Sequence, residues 1–127
     1  MLSEVLSNSA VGKPNQSWRT RERWSSRMPK VTIVIPVHNR EQLVKRAIRS
    51  CLGQTEADFE VNVVDDGSTD KTQEAVRCFD DPRIRLFTQS RNMGVGPARN
   101  RGVDEARGVW IAVLDSDDEL VPDAVAT

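Results

Sequence analysis

Two cysteines, one histidine and a near-zero net charge remove several classes of function before any motif is read. Cys51 and Cys78 lie far apart and lack metal-ligand spacing, so neither a zinc ribbon nor a disulfide framework is on offer. Both cysteines read as reduced, buried, small apolar residues. His38 stands alone, which makes it a weak candidate for a metal ligand. No apolar run approaches the roughly 20 residues of a membrane span. The first residues lack the apolar stretch of a signal peptide, which leaves the sequon Asn15-Gln16-Ser17 without a secretory context. A cytoplasmic location is therefore expected, at most against the inner face of the membrane. The net charge of −1 argues against a nucleic-acid binder by bulk electrostatics. No Gly-Lys-Ser/Thr occurs, so there is no P-loop. Gly94-Val95-Gly96 fails as a dinucleotide fingerprint, because it does not follow the first strand and its third glycine position is Arg99.

Charge is nonetheless unevenly placed. Residues 1–30 carry a net +4 and residues 31–127 a net −5. Residues 1–29 are rich in Ser, Asn, Arg and Lys and show no sustained period. They read as a polar basic extension, in which Leu2, Val5 and Leu6 make one amphipathic turn at most. Trp18 and Trp24 among Arg19, Arg21, Arg23 and Arg27 suit contact with an anionic membrane surface. The plainer reading is a solvated leader.

From residue 30 the pattern alternates between strand and helix. Val31–Pro36 has almost no polar face and reads as a central strand. Asn39 with Gln42 spells a capping box for a helix over 40–52, ended by Gly53. Val61–Val64 is a second buried strand, ending in Asp65-Asp66-Gly67-Ser68. A helix over 71–79 follows. Ile84 and Leu86 alternate with Arg83 and Arg85, as on a half-exposed edge strand. Gly94-Val95-Gly96-Pro97 opens a third helix that ends near Arg107-Gly108, with Pro97 at or near its first position. Val109–Leu114 is a fourth strand, apolar on both faces.

This alternation predicts an α/β fold with helices on both faces of a mostly parallel sheet. The edge-like third strand gives spatial order 3-2-1-4, so the first and fourth strands meet at a topological switch point, where ligands bind beyond the carboxyl ends. Polar residues gather at those ends: His38 and Asn39, Asp65 and Asp66, and Asp115 to Asp118. In extended chain, Asp115 and Asp117 share one side and Asp118 takes the other. Carboxylates held together repel, and a hard cation with oxygen ligands relieves that cost. A solvated acidic turn is the plainer alternative. Arg91, Arg99 and Arg101 near a helix start suit a diphosphate, or are simply a solvated basic turn.

Four blocks then carry a resemblance. Val31-Thr32-Ile33-Val34-Ile35-Pro36-Val37-His38-Asn39-Arg40, Val63-Val64-Asp65-Asp66-Gly67-Ser68-Thr69-Asp70, Arg91-Asn92-Met93-Gly94 with Ala98-Arg99-Asn100-Arg101-Gly102, and Leu114-Asp115-Ser116-Asp117-Asp118 resemble the family 2 glycosyltransferases. The resemblance covers residues 29–127. It implies a Rossmann-like GT-A three-layer sandwich, a nucleotide-sugar donor that is usually a UDP-sugar, Mg²⁺ or Mn²⁺, and transfer with inversion to a saccharide, lipid or protein acceptor. By the same resemblance Pro36, Val37 and Asn39 line the nucleoside pocket. Asp65 and Asp66 are an acidic pair, one of which bonds the base. Arg99 sits near the nucleotide. Asp117 and Asp115 are the metal residues, Asp115 lies also near the ribose or sugar, and Asp118 belongs with the donor-binding residues.

The family's general base falls on a later segment, and no residue of this sequence replaces it. The expectation is thus the donor-binding part of a longer enzyme, a sheet incomplete at the C-terminal end, and a fourth strand with an uncovered edge. Two other classes fit less well. A non-catalytic nucleotide-sugar-binding module needs no base. A nucleotidyltransferase wants a Gly-rich basic loop after the first strand, where His38-Asn39-Arg40-Glu41 stands instead.

Overall fold

The computed structural model describes residues 2–7, 29–54 and 58–119. Its strands and helices are β1 (Leu2–Ser7), β2 (Val31–Val37), α1 (Glu41–Leu52), β3 (Phe59–Asp66), α2 (Thr72–Arg77), β4 (Ile84–Gln89), α3 (Val95–Asp104) and β5 (Trp110–Leu114). The sheet runs β1-β5-β2-β3-β4. Its four parallel strands reproduce the expected order 3-2-1-4. Val31 pairs with both Phe59 and Trp110, which starts β2, β3 and β5 level. Their carboxyl ends therefore emerge together.

The pleat sends alternate residues to opposite faces. Ile33, Ile35, Val61, Val63, Ala112 and Leu114 form one apolar layer with Val44, Ala47, Ile48 and Cys51 of α1 and Ala75 and Val76 of α2. The opposite face carries a smaller cluster of Val34, Ile111 and Val113 under Val103 and Ala106. The rest of that face is polar, with Thr32, Glu60 and Asn62 all buried. Hydrogen bonds hold α3 there in place of a large apolar seam. Asn62 Nδ2 donates to the Gly102 carbonyl at 3.1 Å. A Cβ at Gly102 would lie 2.3 Å from Val34 Cγ1, so glycine is what permits the close approach.

Three expectations need correction. First, Leu2–Ser7 is not a turn in an extension apart from the sheet. It is a strand paired antiparallel to β5, with Val5 opposite Ala112 and Leu6 opposite Ile111. The edge of β5 that was expected to stand open is therefore paired. An edge strand offers unsatisfied backbone groups, and any extended segment within reach satisfies them without a strong pattern of its own. Trp18, Trp24, the sequon and Val121–Thr127 lie outside the described residues.

Second, Asn39 does not cap α1. It adopts φ +50°, a left-handed conformation that asparagine tolerates better than most residues. Arg40 occupies the cap position with no side-chain cap. Third, only Cys51 is buried, whereas Cys78 is exposed. Burial pushes the Cys51 thiol up to about 12, so it stays protonated and unreactive.

Candidate functional site

The level strand ends open into a cleft of about 350 Å³ lined from the ends of β2 and β3, the turn after β5 and the start of α3. Pro36, Val37, His38 and Arg40 come from the end of β2, and Asp66 from β3. Asn92, Gly94, Val95 and Ala98 form the wall made by the 91–94 loop and α3, and Asp115, Ser116 and Asp117 follow β5. Of the residues expected here, Pro36, Val37, Asp66, Asp115 and Asp117 line the cleft, and Asn39, Asp65, Arg99 and Asp118 do not.

The acid cluster is tighter than an extended chain allows. Asp115, Asp117 and Asp118 each offer an oxygen, and the three lie within 4.8 Å of one another. Asp118 was expected on the opposite side. The chain instead leaves the sheet after Leu114 and turns, with the Asp118 N–H donating to the Asp115 carbonyl at 2.9 Å. The two-residue period stops where the strand stops. Three carboxylate oxygens at this spacing form a hard donor set suited to Mg²⁺ or Mn²⁺, with coordination positions left for a ligand. Arg99 Nη2 reaches Asp115 Oδ1 at 3.3 Å, while its Nε is buried without a partner. The guanidinium thus stands beside the acids and offsets part of their repulsion.

The β3 acids are engaged differently. Asp66 accepts the N–H of Met93 on Oδ1 at 2.8 Å and the N–H of Gly94 on Oδ2 at 2.9 Å. It ties the 91–94 loop to the strand end. Asp65 is fully buried and accepts from Gln73 Nε2 at 2.7 Å and from the Ser68 N–H at 3.2 Å on Oδ2, with Oδ1 unpartnered. Asn39 Oδ1 accepts the N–H groups of Thr69 and Asp70, at 2.8 and 3.3 Å. Asn39 is therefore a brace between the ends of β2 and β3, a role the capping-box pattern concealed.

Gly67 makes the loop contact possible. It has φ +69°, and an added Cβ would fall 2.4 Å from both Arg91 C and Asn92 N. Those are backbone atoms and cannot swing aside. Gly67→Ala should cost about 1–3 kcal/mol through overpacking and a disfavoured φ. It should also loosen the 91–94 loop. Urea denaturation of the variant checks the first, and amide exchange at Gly94 the second.

Residues 32–127 match the family model for glycosyl transferase family 2. The chain belongs to that family. Among curated family relatives it is 50% identical to the succinoglycan biosynthesis protein ExoO of Rhizobium meliloti over 97 residues, covering 76% of this chain and 28% of ExoO. The described fold is similar to S. aureus TarS 1–349 in complex with UDP, at TM-score 0.73 and 29% identity, covering 76% of this chain and 30% of that one. It is also similar to the mannosyltransferase PcManGT from Pyrobaculum calidifontis in complex with GDP-Man and Mn²⁺, at TM-score 0.66 and 25% identity, covering 87% and 37%. The chain thus spans under two fifths of each of these family proteins.

Arg40, Asn92, Gly94, Val95, Ala98 and Ser116 line the cleft without having been singled out as site residues, and so does His38, which was placed at a strand end but given no role. Their signal was position. Each stands within a few residues of a strand end or of the Gly94 turn, but only the assembled sheet shows that those ends meet.

Proposed function

We propose that the cleft binds the nucleotide-sugar donor of a glycosyl transfer, with UDP as the nucleotide, and that Mg²⁺ or Mn²⁺ is held by Asp117 with Asp115 and Asp118. The observation that carries this is the three-carboxylate cluster at one end of a cleft whose other wall is the β2 end and the α3 start. Family membership and the resemblance to a UDP-bound and to a Mn²⁺-bound structure support it. When bound, the cation offsets charge on the departing nucleoside diphosphate.

The protein's own groups divide the remaining work. Pro36 and Val37 form the apolar floor for the nucleoside. Asp66 faces it with both oxygens already steering loop amides, and Asp65 backs the same wall. Arg99, in contact with Asp115, adds positive charge near the diphosphate. Inverting transfer also requires a base for the acceptor hydroxyl. In this cleft the Asp66 oxygens hold backbone amides, and the Asp115–Asp118 cluster is committed to the cation. The role this reading assigns to the cleft is donor binding, and it names no base for the acceptor.

Calorimetry of the chain with UDP, with and without Mn²⁺, tests the reading. Measurable UDP affinity that rises with Mn²⁺ is the expected result. Equal affinity in both conditions would count against the metal, and no binding in either would remove the donor reading altogether.

A further inference from the structure

One group in the cleft has its hydrogen-bonding state dictated on every side. His38 Nδ1 lies 2.8 Å from the Asp66 carbonyl. A carbonyl only accepts, so Nδ1 carries a proton and donates. Nε2 lies 3.2 Å from Asn92 Nδ2 and 3.3 Å from Asn39 Nδ2. Each amide is oriented by backbone donors on its oxygen. Asn39 Oδ1 accepts from Thr69 and Asp70, and Asn92 Oδ1 accepts from the Gly94 N–H at 3.1 Å. Turning either amide over would set N–H against N–H. Both NH₂ groups therefore face Nε2, which must be the bare acceptor.

We propose that His38 is a positioning residue for donor binding: held as the neutral Nδ1–H imidazole, it latches the Asn92–Gly94 wall of the cleft to the ends of β2 and β3. The Asp66 carbonyl, at the β3 end, takes the proton of Nδ1. Asn92, in the 91–94 loop, and Asn39, just past the β2 end, meet on Nε2. The Asp66 carboxylate holds the same loop through Met93 and Gly94, so the two sets of bonds act on one wall from two directions. The binding consequence rests on the donor reading above, whereas the latch itself does not.

His38 is the one histidine of the sequence, so its imidazole signals are unambiguous. Long-range ¹H–¹⁵N correlation on the full chain should show a pyrrole-like Nδ1 and a pyridine-like Nε2 at neutral pH. Asn92→Asp replaces the amide donor with an acceptor and leaves His38 untouched. It should draw a proton onto Nε2 and shift that nitrogen to a pyrrole-like position. His38→Phe should weaken UDP about tenfold, the scale of one or two lost hydrogen bonds, and leave the ratio of affinities with and without Mn²⁺ unchanged. His38→Gln, whose carbonyl can stand in for Nε2, should recover part of that loss. An Nε2–H tautomer in the unmodified chain would overturn the latch, as would an unaltered Nε2 signal in Asn92→Asp. Tenfold weakening absent from His38→Phe in a chain that binds UDP would overturn the positioning role. Should the unmodified chain fail to bind UDP, the donor reading falls, and the tautomer and Asn92→Asp spectra still decide the latch.

Discussion

Asp117→Asn should abolish the Mn²⁺ enhancement of UDP binding and leave cation-independent binding nearly as it was. Asp117 lines the cleft and belongs to the three-carboxylate cluster, as Asp115 does. Asparagine keeps the shape and one carbonyl oxygen, so the change removes a charge and a strong oxygen donor with little else. Asp115 is partly engaged by Arg99, and Asp118 does not line the cleft. Neither compensates well. Loss of an outer partner to a metal ligand typically costs about 10–100-fold in metal affinity. Removing a ligand should reach at least the upper end, about a hundredfold. Titration of Mn²⁺ into the UDP-saturated variant measures it. A variant retaining the full Mn²⁺ dependence would show that the cation is held elsewhere.

Glu60→Gln should destabilise the chain by about 3 kcal/mol, and the loss should fade in acid. Glu60 is 2% exposed and receives the Thr32 hydroxyl on Oε2 at 2.7 Å, the Arg107 N–H on Oε2 at 2.8 Å, Arg107 Nε on Oε1 at 2.8 Å and Arg85 Nη1 on Oε1 at 3.1 Å. It anchors the loop between α3 and β5 at the sheet end remote from the cleft. Breaking a buried ion pair costs about 3–5 kcal/mol. The low end applies because the Arg107 side chain is 58% exposed and can turn to water once released. Burial alone would push the Glu60 carboxyl up, and the bonds from Arg107 and Thr32 outweigh it and hold the carboxyl below its ordinary value. The sign follows from that direction. A depressed folded-state value contributes stability above the unfolded carboxyl range, about pH 4.3, and loses it as pH falls through the folded value. The gap between the native chain and Glu60→Gln should therefore be full at pH 7 and close well below pH 4.3. A gap independent of pH would mean that the charge is not what stabilises the site.

The parallel sheet was legible because its strands have two apolar faces and its helices a one-sided stripe. Those periods survive in sequence and give both the elements and their order. The edge character of β4 was legible for the same reason, since Arg83 and Arg85 alternate with Ile84 and Leu86. The buried Glu60 and Asn62 were not legible. Val61–Val64 reads as a buried strand, but nothing local shows what satisfies Glu60 and Asn62 there, and only Arg85, Arg107 and Gly102 make their burial tolerable. β1 was hidden because six residues of weak alternation carry no signal without the edge they pair with.

The site divides along the same line. The residue types were readable from sequence alone: acids after β3 and β5, a Gly-rich turn before α3, and a resemblance in four blocks to a sugar-transferring family. Tertiary structure decided what each residue does. It turned Asp118 into the cluster, made Asn39 a brace, set Asp66 on the loop amides and locked His38 between a carbonyl and two amides. The Asp118 turn is local, but the other three are contacts between segments about 25 to 55 residues apart, such as His38 with Asp66 and Asn92. Local pattern reports the periodic burial of a segment's own side chains. It carries no record of which distant backbone donor or acceptor will stand opposite a polar tip, and hydrogen bonds are decided by that geometry.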